Sequence, residues 1–276
     1  MHEKIHCFGQ YQNLHGIYTP ASKQKAGPCV LIINAGAVHK VGPFDLHVKL
    51  ARHLSDQGVS SFRFDLSGQG DSLKVASPLS REAQILEDMR QALDFLEQEY
   101  EHPAFVSFGL CTGAENAHKL SVADERIKGV IWIDGYGYLT SKFKRVKILK
   151  KLSNPFAIIK AIFNRLSAKK TSQYQPPAQQ DADVMDNFAW KLPDKAHYIE
   201  DMNTLHSRAT RCLYIYSGGV QPYYNYLGQM KESLAGQPFV QLIEEAFFPK
   251  ASHTFFILAD RKALFSRISK WLDETF

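Results

Sequence analysis

A mostly parallel α/β fold carrying one helical insertion is what this sequence predicts, and three observations point to it. Short β-rich apolar runs alternate with amphipathic helical stretches along most of the chain. A glycine-flanked turn, Gly109-Leu110-Cys111-Thr112-Gly113, joins one such run to a helical stretch. Between residues 136 and 206 the alternation stops, and a basic, Pro-interrupted helical segment takes over. The 276 residues, 45% of them apolar, suit one large core better than two equal domains. The expected units are therefore a core of residues 1–135 and 207–276 and an insertion of residues 136–206.

The clearest buried strands are residues 29–33, 59–64, 104–108, 129–133 and 212–216, each bounded by Gly, Pro or charged residues. Between them lie helical periods. Leu46, Leu50 and Leu54 mark one buried face, and Gly58 reads as the stop of that helix. Ile85, Met89, Leu93 and Leu96 mark a second. Leu264, Ile268, Trp271 and Leu272 mark a C-terminal helix expected to pack on the sheet.

Composition narrows the function classes. A net charge of +5 is only mildly basic and is no nucleic-acid signature, and no aromatic-interleaved basic motif is present. The four cysteines show neither C-x-x-C spacing nor a zinc pattern, so Cys7, Cys29 and Cys212 are expected as reduced, mostly buried thiols. Nothing in the pattern calls for a metal or cofactor. The first residues lack a positively charged region followed by an apolar stretch, and no run approaches a membrane span, so the expected location is cytoplasmic.

The turn around Cys111 is where chemistry is expected. A residue at a sharp strand-to-helix turn is lifted above the sheet, and its flanking glycines avoid collisions that a Cβ would cause. The positive end of the following helix favours a thiolate there. Upstream, Arg63-Phe64-Asp65-Leu66-Ser67-Gly68-Gln69-Gly70-Asp71-Ser72 follows a strand. Downstream, Ser252-His253-Thr254-Phe255 precedes the C-terminal helix. His253 stands out among eleven histidines by position; His39, His47 and His118 are expected as exposed polar or loop residues.

These motifs resemble the α/β-hydrolase superfamily, which has a D-x-x-G-x-G-x-S turn before the strand leading to its nucleophile. The likeness is to serine aminopeptidase S33-like members and, more narrowly, to exosortase A system-associated hydrolases, which also carry Cys at the elbow. The resemblance implies an α/β-hydrolase fold and a structural role for Asp65 and Asp71. It implies Cys111 as nucleophile and His253 as its base. The oxyanion donors would be the N–H of Thr112 and of Gly36 or Ala37, and the insertion would be a helical lid.

One part of the pattern fails. The family's acid usually follows the strand after the insertion, yet that region reads Tyr216-Ser217-Gly218-Gly219-Val220-Gln221. Asp134, at the end of the preceding core strand, is the favoured substitute. A Cys–His dyad oriented by a neutral Gln221 is the second reading, and Glu244, Glu245 or an inactive site share the rest. A thiol, with a reference pKa of about 8.5, needs less help to ionise than a serine hydroxyl.

From residue 141 to 170 there are ten Lys or Arg and no Asp or Glu. Two amphipathic pieces are legible: one with Val146, Leu149 and Leu152, another opened by Asn154 and Pro155 and carrying Ile159, Ile162, Phe163 and Leu166. The charges read either as a solvated face or as a surface for an acyl carrier or an anionic membrane. The expected function is cysteine-dependent hydrolysis of an ester or thioester, or acyl transfer. Its rivals are a lactone hydrolase resembling dienelactone hydrolase and a non-catalytic binding protein for an acyl or anionic ligand.

Overall fold

A computed structural model describes residues 2–23, 27–152 and 192–276. Among these residues eight strands form one sheet in the order β1-β2-β4-β3-β5-β6-β7-β8. They are β1 (Lys4–Phe8), β2 (Leu14–Thr19), β3 (Cys29–Ile32), β4 (Ser61–Phe64), β5 (Phe105–Leu110), β6 (Ile127–Ile133), β7 (Arg211–Ser217) and β8 (Ile243–Phe248). The β1–β2 and β2–β4 pairings are antiparallel and the remaining five are parallel.

Fully apolar strands such as Cys-Val-Leu-Ile in β3 are buried on both faces, as a sheet covered by helices on both sides requires. Side chains alternate between two cores. Val30 and Ile32 face α1 (Leu46–Asp56) and the C-terminal helix, where Leu50, Leu54, Leu264, Ile268 and Trp271 meet them. Cys29 and Leu31 face the other side, packed by α2 (Arg81–Tyr100) and α3 (Thr112–Ala123) through Met89, Leu93, Leu96, Ala117 and Leu120. Ser80 caps α2, its side chain accepting from Ala83 N at 3.3 Å.

After β6 the chain leaves the sheet at Tyr136 and Tyr138, both buried. It forms α4 (Ser141–Leu152) and returns through α5 (Lys195–Ser207) into β7. The Tyr138 hydroxyl donates to the carbonyl of Pro193 at 3.1 Å, so the outgoing and returning chain meet. The expected helix begun by Asn154 and Pro155, with Ile159, Ile162, Phe163 and Leu166, lies outside the described residues, as does the polar loop at residues 171–183. On α4 the buried anchor is Phe143, whereas Leu149, an expected member of the apolar face, is 64% exposed. The short α6 (Gln229–Ser233) and the 18-residue C-terminal helix α7 (Leu258–Thr275) follow β7 and β8 respectively.

Three expectations need correction. His47 and His118 are buried, not exposed. His118 pairs with Asp201 Oδ2 at 3.0 Å and stacks on Tyr198. His47 lies edge-on to Phe108, and burial lowers its pKa to about 4, so it packs as a neutral ring. Cys7 is exposed, because β1 is an edge strand with one side open.

Candidate active site

The elbow follows from where β5 ends. Cys111 has φ 59° and ψ −122°, a backbone conformation costing about 1–3 kcal/mol for a residue with a side chain. Its surroundings over-determine it. Cys111 N donates to Ile133 O at 3.0 Å, and Ala114 N donates to Cys111 O at 3.0 Å. A Cβ on Gly109 would lie 2.0 Å from Gly113 O, and one on Gly113 would lie 2.6 Å from Asn34 O. Both glycines are therefore required for the turn to close against β3 and α3. The Cys111 side chain is half-buried at the N-terminus of α3.

Asp134 follows β6, the strand beside β5, and Asp134 N donates to Ile215 O at 2.8 Å. Its carboxylate is fully buried and bonded on both oxygens. Oδ1 accepts from Ser217 N at 2.6 Å; Oδ2 accepts from Ser217 Oγ at 2.6 Å and pairs with His253 Nδ1 at 2.7 Å. The Tyr223 hydroxyl donates to the Asp134 carbonyl oxygen at 3.1 Å. Burial pushes the Tyr223 phenol well above its ordinary range, with Asp134 and Cys111 adding to the shift. It therefore remains a neutral donor.

His253 must reach Asp134 from beyond β8, crossing the end of β7. Gly218 and Gly219 make that path. A Cβ on Gly219 would lie 2.9 Å from both the backbone N and the Cβ of His253, and one on Gly218 would lie 2.4 Å from Pro249 O. Gly218 N also donates to Ala251 O at 2.9 Å, fixing the start of the histidine loop. The His253 imidazole is raised to about 10, first by its hydrogen bond to Asp134 and second by the Cys111 thiol, with burial opposing. It is an imidazolium at neutral pH.

The other acid candidates point elsewhere. The Gln221 amide donates to Pro249 O at 3.3 Å. Glu244 pairs with Arg267 at 2.8 Å. Glu245 accepts from Tyr224 OH at 2.6 Å and Lys231 N at 2.7 Å.

The loop after β3 is tied to the turn after β4 through buried Asp65. One oxygen accepts from Asn34 Nδ2 at 2.9 Å and Lys40 N at 2.6 Å; the other accepts from Lys40 Nζ at 2.7 Å and Asp71 N at 3.0 Å. His39 and Asp71 complete the cluster at 3.0 Å. Three of these groups, His39, Asp65 and Asp71, have the spacing of cation ligands, but the Lys40 ammonium already supplies the positive charge between the carboxylates. Within the loop, Gly36 N does not stand open: it donates to Thr112 Oγ1 at 2.6 Å. Ala37 is exposed. Phe44 and Phe256 sit on the loops that follow Gly36 and His253, with ring centroids 5.9 Å apart and exposures of 64% and 54%.

Ser217, Gly218, Gly219 and Tyr223 are the site residues that sequence reasoning missed. The available signal was the segment itself: a hydroxyl followed by two glycines occupies the place where an acid was expected.

No family model and no curated protein matches the sequence. Solved structures do match its fold. An esterase from Pyrococcus furiosus superposes with a TM-score of 0.63 at 13% identity, covering 99% of this chain and 90% of the esterase. The α/β hydrolase GrgF from a Penicillium species gives 0.59 at 15% identity, covering 99% of each chain. A proline iminopeptidase from Mycobacterium smegmatis gives 0.59 at 12% identity, covering 99% and 98%. The chain has the α/β-hydrolase fold.

Proposed function

We propose that this chain is a cysteine-dependent hydrolase of a carboxylic ester or thioester, with Cys111 as nucleophile, His253 as proton carrier and Asp134 as the acid that orients it. One observation supports it above all: a fully buried carboxylate bonds His253 Nδ1 at 2.7 Å, raising the imidazole's affinity for a proton, beside a cysteine on a strained strand-to-helix turn. An imidazolium is the wrong resting state for a base that must deprotonate serine. It is the counter-ion that a thiolate requires.

In the proposed reaction the Cys111 sulfur attacks the carbonyl carbon, and the π pair moves onto the carbonyl oxygen. Thr112 N–H, a first-turn donor of α3 for which the helix itself offers no acceptor, is assigned to that developing charge, with Ala37 N–H as a second candidate. The oxyanion collapses, the C–O or C–S bond to the leaving group breaks, and His253 Nε2 protonates the departing atom. A thioester on Cys111 remains. The now neutral His253 takes a proton from water as its oxygen attacks; collapse releases the acid and restores the thiolate–imidazolium pair. An alcohol or amine in place of water gives acyl transfer by the same steps.

The exposed Phe44 and Phe256 favour an apolar acyl group at the mouth. On α4 the exposed Lys142, Lys144, Arg145 and Lys147 support an acidic acyl carrier or an anionic surface as the source of substrate. Among the described residues no helix is long and apolar enough to cross a membrane. The binding-protein reading drew on the missing acid after Tyr216, and the Asp134–His253 bond removes that support.

The test is a panel of p-nitrophenyl esters and acyl-CoA thioesters with wild type and Cys111→Ala, read by turnover and by mass spectrometry of the protein. An acyl adduct on Cys111, with turnover lost in the variant, is the expected result. Undiminished turnover in Cys111→Ala, or a chain inert to every ester, would overturn the proposal.

A further inference from the structure

The bond between Gly36 and Thr112 changes what the oxyanion site is made of. In this chain the Gly36 N–H is engaged by Thr112 Oγ1 at 2.6 Å, a short contact between the loop after β3 and the first residue of α3. The glycine is fixed at its other end as well. With the Gln69 amide oriented so that both its ends are satisfied, its nitrogen donates to Gly36 O at 3.3 Å and its oxygen accepts from Arg81 at 2.7 Å. Gly36 also sits at φ 58°. Re-aiming its N–H at a substrate would therefore break a short bond in a loop that is pinned on both sides.

Thr112 itself offers a replacement. Its oxygen accepts from Gly36, and among the described residues its own O–H has no acceptor. Main-chain N–H and side-chain O–H of one threonine are three bonds apart and can converge on a single oxygen. Accepting a hydrogen bond polarises a hydroxyl and makes it a stronger donor. We propose that the Thr112 hydroxyl is a catalytic oxyanion donor, relaying the Gly36 N–H to the carbonyl oxygen and acting beside the Thr112 N–H. This rests on Cys111 being the nucleophile. It assigns to a side chain the role that a loop N–H was expected to fill.

Thr112→Val keeps the shape and removes the hydroxyl, while leaving Gly36 N–H without its partner. Thr112→Ser keeps the hydroxyl. With p-nitrophenyl acetate as probe, Thr112→Val is expected to lose about 10²–10³-fold in kcat with KM nearly unchanged, the scale of deleting one oxyanion donor. Thr112→Ser restores most of the rate. A merely structural hydroxyl would change thermal stability without this kcat-against-KM split, and urea midpoints of both variants check that. Acetyl adducts on Cys111 separate the two levels of failure. An adduct in wild type together with wild-type or faster turnover in Thr112→Val overturns the hydroxyl assignment alone, since freeing Gly36 N–H would then restore or improve the site. No adduct in wild type overturns the nucleophile reading and this assignment with it.

Discussion

Asp134→Asn removes one negative charge from a fully buried position and leaves one oxygen where there were two. Asp134 Oδ1 serves Ser217 N at 2.6 Å, while Oδ2 serves Ser217 Oγ at 2.6 Å and His253 Nδ1 at 2.7 Å. If the amide oxygen stays on His253, its NH₂ faces the Ser217 N–H across 2.6 Å, donor against donor. An unsatisfied buried donor of that kind costs about 1–3 kcal/mol. If the amide turns over, NH₂ faces Nδ1, which must then shed its proton and accept. The proton moves to Nε2, and the ring can no longer take one from water. The shift that holds His253 near 10 loses its leading cause in either orientation, and the imidazole falls back toward 6.5. The expected loss in turnover is about 10²–10⁴-fold, the range for a misoriented catalytic histidine. The assay is alkylation of Cys111 by iodoacetamide, followed by mass spectrometry across pH values from about 5 to 10, beside ester turnover at each pH. Wild type should react fast through neutrality and Asp134→Asn should not. A folded variant within about threefold of wild type in both rates would refute the argument.

Five further variants test the same contacts. Ser217→Ala removes one of the two Ser217 donors to the buried carboxylate and should cost about 1.5–3 kcal/mol in urea unfolding, whereas Gln221→Ala should leave turnover unchanged. Gly219→Ala places a Cβ 2.9 Å from His253 and should cut kcat far more than it lowers the urea midpoint, which paired kinetics and denaturation curves would show. Lys40→Met strands the fully buried Asp65 carboxylate and should destabilise by about 3–5 kcal/mol in urea titration at neutral pH. The contribution of His253 to stability is complete below its unfolded pKa near 6.5 and is lost as pH rises through about 10, so the difference in urea midpoint between wild type and His253→Gln should shrink across that window.

The parts of the site that could be read from sequence are those set by local spacing. The Gly109–Gly113 turn, the Asp65 turn and His253 each sit beside their own strand or helix, and adjacent residues define them. Asp134 was readable only as one candidate among several, because choosing it requires the pairing of β6 with β7. Ser217 and Tyr223 matter through Asp134, 83 and 89 positions away, and Gly218 and Gly219 through the distant loop that carries Pro249 and His253. The same cause hid the engagement of the Gly36 N–H: its bond to Thr112 joins residues 76 apart in sequence. The antiparallel strands β1 and β2 escape a sequence reading because Lys-Ile-His-Cys-Phe and Leu-His-Gly-Ile-Tyr-Thr carry too many polar residues to read as core. His47 and His118 were misjudged because a histidine's burial depends on the rings and carboxylate that later pack on it.

The meeting of Tyr138 with Pro193 has a practical consequence. The chain's longest excursion from the sheet begins and ends at nearly one point, so it is a cassette with a common base. A bridge of a few residues spans a gap of about one tyrosine side chain, and closing so short a loop costs little entropy. Asp134 lies on the near side of that base and Ser217 on the far side, both rooted in paired strands. The sheet could thus receive another segment in this place, from a short tether upward, without rebuilding the bonds that hold His253.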